Sequence, residues 1–249
     1  MRTHSLPVPY DLFVNLAHGI RYAKINHFRI FLCLIDDEIV RGLNLLAECQ
    51  IDIDLLEFRA ATYKHDEHDI TDIRNPILPQ GLCDTIVRLK PRRLRYHENT
   101  NRIFILNHDF SFIDRLIAAG TESIDVDHIE KCDGRVSTLL NKDIYRTIGR
   151  LSECNLQSIS VRDSDIEAII RCAMENPKKR VLIFTRNSTS PFRIHFNMYM
   201  VNLSSRDRYY VINGEDLDKS FVVLENVETR KITIEQPFDP TVDYEQRIR

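Results

Sequence analysis

Residues 5–48 read SLPVPYDLFVNLAHGIRYAKINHFRIFLCLIDDEIVRGLNLLAE, and the fold reading turns on how their apolar positions are spaced. Pro9 and Asp11 are helix-start residues, and Leu12, Phe13, Leu16, Ala17 and Ile20 follow them at helical spacing. That predicts a first helix with one apolar face. Phe28, Phe31, Leu32, Ile35, Ile39, Leu43 and Leu46 then recur at steps of three and four, with Asp36, Asp37, Glu38 and Arg41 on the other side. A second helix is expected over that stretch, so residues 1–48 read as a helical module.

Outward from this module the texture changes to short β-like runs alternating with helices, which predicts a repeat-like α/β domain over residues 49–240. It begins with IDIDLLEF at 51–58, passes a polar stretch from Lys64 to Asp72, and turns at Pro76 and Pro79. Leu94 and Tyr96, Ile124 and Val126, Ile159 and Val161, and Leu182 and Phe184 each form the core of a short strand, and these strands are expected to be neighbours. Helices are expected between them at Phe112–Ala119, Val136–Leu151 and Ile166–Met174. The last is bounded by a capping box of Ser164 and Glu167 and by Asn176-Pro177.

Helix and strand alternating in this way fit two architectures equally, an irregular leucine-rich solenoid and an ordinary mixed sheet. LQSISV at 156–161 matches the strand core of such a repeat. From Arg193 onward RIHFNMYMV, RYYVING, SFVVLENV and RKITIEQP read as strands separated by turns. Residues 241–249 read as a disordered tail.

Composition mainly excludes. A chain of 249 residues with 43% apolar content can bury a large core, and its net charge of −3 gives no overall field towards nucleic acid or an anionic membrane. No window approaches the roughly 18 apolar residues of a membrane span, and Pro7, Pro9 and Asp11 interrupt the apolar core that a secretory signal requires. A cytoplasmic or nuclear protein without membrane contact is expected. The seven glycines never cluster as a dinucleotide fingerprint, a P-loop or a nucleophile elbow would require. The six cysteines include no Cys-x-x-Cys pair and read as reduced, packed thiols.

LPVPYDLFVNLAHGIRYAKINHFRIFLCLIDDEIVRGL, from Leu6 to Leu43, resembles an F-box: a Leu-Pro start, a first helix apolar at four-residue steps, a short connection and a second apolar helix. With an α/β region after it, the chain looks like a divergent, nematode-like F-box protein carrying a leucine-rich-repeat-like or F-box-associated domain. The resemblance implies the substrate-recognition subunit of a cullin-RING ubiquitin ligase, involved in protein degradation. Its partners would be a Skp-type adaptor and cullin, with Leu6, Pro7, Leu12, Leu16, Ile20 and Ile25 on the adaptor, and a protein target on the α/β domain. It implies no catalysis and no cofactor.

Two further clusters carry other readings. KHDEHDITD at 64–72 has donor atoms for a divalent cation, but lacks a distant third ligand and the turn glycine of an EF-hand, so it reads as a solvated acidic loop and no metal is expected. RLKPRRLRYH at 88–97 sets Arg88, Lys90, Arg92, Arg93 and Arg95 near Tyr96, a run able to contact an anionic target or a phosphate backbone, with Lys178, Lys179 and Arg180 as a second basic group. The alternatives to the ligase reading are therefore a nucleic-acid-binding module and, behind it, a metal-dependent nuclease. No arrangement of nucleophile, base and orienting group stands out.

Overall fold

The computed structural model describes residues 8–31, 33–59, 62–63, 81–97, 111–126, 147–196, 198–202, 207–214, 219–242 and 244. The chain is a mixed α/β protein that divides into two compact units, Met1–Thr121 with Asp125–Ile129, and Glu122–Ile124 with Glu130–Arg249.

The first unit begins with α1 (Tyr10–Ile20), β1 (Lys24–Phe31) and β2 (Leu34–Ile35), then α2 (Asp37–Glu48), β3 (Asp52–Arg59) and β4 (Thr62–Tyr63). It continues with α3 (Leu82–Leu89), β5 (Arg93–His97) and α4 (Ser111–Ala118). The strand β6 (Ser123–Val126) divides its residues between the two units. β1 and β5 flank β3, both parallel to it, and each of the three follows a helix. Parallel neighbours joined through a helix are common to an ordinary mixed sheet and to a helix–strand repeat.

The second helix expected from Phe28 to Leu46 is corrected: Lys24–Phe31 is a strand and the helix starts only at Asp37. Residues 10–48 therefore do not form an all-helical module. The apolar positions of KINHFRIF satisfy a period of two as well as of three to four, and pairing with β3 decides between them. Phe28 lies beside Leu56 and Ile30 beside Phe58, while Phe31 is 48% exposed. Asp36, assigned by the helical reading to a solvent face, is the N-cap and accepts from the Ile39 N–H at 3.1 Å. Asp37 and Glu38 then occupy the first turn, where a helix favours acids.

α2 buries Ile39, Leu43 and Leu46 completely, and burial of such side chains stabilises by roughly 1.5–3 kcal/mol each. Phe58 and Tyr96 stack at 4.8 Å between ring centroids in the same core. α1 reaches it through Phe13, whose ring lies where a Cβ on Gly42 would be.

The second unit contains β7 (Glu153–Val161), α5 (Asp163–Glu175) and β8 (Arg180–Arg186), followed by β9 (Met198–Asn202), β10 (Asp207–Ile212), β11 (Phe221–Asn226) and β12 (Lys231–Gln236). β7 and β8 are parallel neighbours, as expected for the strands at 159–161 and 182–184. β8 is antiparallel to β12, and β12, β11, β10 and β9 form an antiparallel meander.

α5 contains the expected helix 166–174 but starts earlier, at Asp163, and is capped differently. The Asp165 carboxylate accepts from the Arg162 N–H at 2.9 Å, in place of the expected Ser164–Glu167 pair. The disordered reading of 241–249 is corrected at Tyr244, which is 5% exposed, packs near Val222 and Leu224, and accepts through its hydroxyl from the Asp239 N–H at 3.0 Å. The expected helix over 136–146 lies outside the described residues.

Candidate functional site

α1 has three stripes. Phe13 and Ala17, four residues apart, face the core. Tyr10, Val14, His18 and Arg21 border a groove of about 510 Å³ whose other wall is Leu45, Glu48 and Cys49. Leu12, Leu16 and Ile20 form the third. Leu12 is 58% exposed, while Leu16 and Ile20 are half-buried. Of the other residues expected on an adaptor, Ile25 is half-buried on β1, and Leu6 and Pro7 lie outside the described residues.

The basic run at 88–97 is divided between α3 and β5. Arg88 projects from α3 to the Asn44 side-chain oxygen at 2.8 Å and lies 3.9 Å from Glu48. Lys90 ends α3 in a left-handed conformation, with φ 48°. The Arg92 backbone N–H joins the Ile53 carbonyl at 3.0 Å. Arg93 pairs with Asp54 at 2.5 Å and Arg95 with Asp125 at 3.0 Å.

The alternation of β5 explains the separation. Leu94 and Tyr96 enter the core beside Leu56 and Phe58, so Arg93, Arg95 and His97 take the opposite face. Arg180, grouped by sequence with Lys178 and Lys179, is buried: it is 1% exposed and donates to the Ala173 carbonyl at 3.4 Å and to those of Gly149 and Asn176. Burial pulls its pKa down to about 10, which leaves it cationic at neutral pH.

The sheet face opposite the helices carries an arrangement that sequence reading missed. Strand register places Arg29 beside Glu57 and Glu57 beside Arg95, and Arg95 reaches Asp125. Charge therefore alternates across β1, β3, β5 and β6. On one side of this row stand His27, Leu55 and Arg93, and on the other Phe31, Arg59 and His97.

Glu57 is its anchor, with a side chain only 4% exposed. Burial pushes its pKa up, but the hydrogen bonds from Arg29 Nε and His27 Nε2, each 2.6 Å, outweigh this and hold it below the ordinary carboxylate range. The signal in sequence was a lone acid in the apolar run LLEF. Finding its partner required knowing that β1 is a strand.

The second unit contains a buried ionic cluster. Arg186 donates from Nε and Nη2 to Asp163 at 2.8 and 2.9 Å, and from Nη1 to Glu225 at 2.6 Å and to the Ser190 carbonyl at 2.5 Å. The Tyr210 hydroxyl donates to Glu225 at 2.8 Å and accepts from the Phe192 N–H at 3.2 Å. All three guanidinium nitrogens are spent within the protein, so the cluster fastens the 187–193 segment to α5 and β11. Its role is structural.

The acidic stretch 64–72 lies outside the described residues, among which no three metal-ligating side chains converge. None of the described helices is long and apolar enough to cross a membrane. Compared with family models, curated proteins and solved structures, the chain matches none.

Proposed function

We propose that the chain is a non-catalytic protein-recognition subunit, and specifically that it holds a target protein for a cullin-RING ubiquitin ligase through a Skp-type adaptor. The observation that carries this reading is the Leu12–Leu16–Ile20 stripe. α1 is already fastened by Phe13 and Ala17, so its second apolar stripe is available to a partner helix. The strand at Lys24–Phe31 replaces the first part of the second helix expected from the F-box resemblance, leaving α2 from Asp37, and the adaptor reading rests on the α1 stripe. Stacked helix–strand units support the target-binding half, because such units present extended surfaces for protein recognition.

The alternating row favours a protein over nucleic acid as the target. A polyanion would meet Asp54, Glu57 and Asp125 among the arginines, whereas a protein surface can match alternating charge. The test is co-purification with a Skp-type adaptor. Leu12→Asp with Leu16→Asp should abolish retention of the adaptor and leave the thermal transition nearly unchanged. Unfolding of the double variant, or wild-type protein that never retains an adaptor, refutes the reading.

A further inference from the structure

β1 is an edge of the first unit's sheet: among the described residues it pairs only with β3. Half of the backbone N–H and C=O groups of such a strand point away from its neighbour and can accept another strand. Lys24 and Arg29 keep the edge cationic, and Phe31 adds an exposed ring.

The charge row fixes what a new strand must carry. Read outward across the sheet, Asp125, Arg95, Glu57 and Arg29 alternate in sign, so the next position in sequence of sign is negative. Arg29 can bind it. Its Nε is engaged by Glu57, while its terminal nitrogens have no partner among the described residues and its side chain is 45% exposed. Two residues along β1, on the same face, Phe31 is 48% exposed and offers an apolar neighbour.

We propose that β1 is the docking edge for an extended segment of the target protein, which adds to the sheet with an acidic residue beside Arg29 and, two positions away, an apolar residue beside Phe31. Backbone hydrogen bonds supply affinity and these two side chains supply selectivity. A second copy of the chain is a poor occupant, because it would bring Lys24 and Arg29 against the same two cations. The inference rests on the protein-recognition reading but not on α1 or an adaptor. Its experiment contains neither, so the two can fail separately.

The probe is a nine-residue, threonine-rich synthetic peptide with one glutamate and a phenylalanine two positions further on, titrated into the full chain and followed by amide hydrogen exchange. The expected result is saturable binding with new protection confined to Lys24–Phe31. Affinity should fall about fivefold when lysine replaces the glutamate, the scale of a cross-strand charge pair.

Arg29→Glu should invert that preference, and Phe31→Thr should weaken binding of both peptides while the thermal transition stays in place. If Arg29→Glu does not fold, Arg29→Gln must erase the glutamate–lysine preference. The proposal is overturned by absence of binding, by protection elsewhere, or by a preference that Arg29 variants leave unchanged. It is also overturned if the edge amides are already protected in the free chain or if sedimentation shows a dimer that Arg29→Glu dissolves.

Discussion

Glu57 stays charged where burial opposes it, because Arg29 and His27 hydrogen-bond its ionised form. Its folded pKa lies below the ordinary value of 4.5, so on acidification the unfolded chain binds a proton first. The stability it contributes is therefore fully present above about pH 4.5 and disappears as pH falls through the lower folded value. Glu57→Gln should cost about 1–3 kcal/mol at neutral pH, through guanidinium and imidazole groups left without their acceptor. Urea unfolding across an acidic pH series should show a shallower loss of stability below pH 4.5 for the variant than for the wild type. A profile parallel to the wild type would assign the acid sensitivity to other carboxylates. Sequence reading picked out Arg93 and Arg95 as members of a basic run, but cross-strand partners such as Asp54 and Asp125 depend on register, which one strand does not encode.

Elements show where the periodic signal was sufficient and where it was not. α5 and its strands β7 and β8 were legible because an apolar stripe, a break at Asn176-Pro177 and alternating strand cores agree. From Phe28 to Ile35 the apolar residues fit both periods, and the parallel pairing that resolves them is non-local. The contact of α1 with α2 gives a direct test of the resolved arrangement. Gly42→Ala gains about 1 kcal/mol of helix propensity, yet its methyl would strike the Phe13 ring, and overpacking of that kind costs about 1–3 kcal/mol. The net expectation is a lower thermal midpoint, recovered when Phe13→Leu is added. In the second unit, Arg186→Met takes the guanidinium from both Asp163 and Glu225, leaving Glu225 with Arg208 at 3.6 Å and the Tyr210 hydroxyl, and should destabilise by about 3–5 kcal/mol in chemical denaturation. Adding Glu225→Leu should restore part of the loss, because it removes the fully buried carboxylate.

At the scale of the whole molecule, a net charge of −3 and basic residues individually paired with carboxylates predict weak attraction to nucleic acid. Titration of short RNA and DNA at two salt concentrations should show no salt-sensitive binding at micromolar protein, and steep salt dependence would revive the polyanion reading. The α/β class was legible from alternating elements, whereas the placement of the opening residues beside β3 was not, because nothing in a helix-like pattern names its neighbour in space. The alternating row also constrains how such a chain can change its length over evolution. Loss of the unit α2–β3 would bring Arg29 next to Arg95, two like charges on adjoining strands, whereas loss of two successive units would bring Arg29 next to Asp125 and keep the signs opposed. Deleting an odd number of these strands sets like charges side by side and an even number does not, so the row acts as a parity check on the number of its strands.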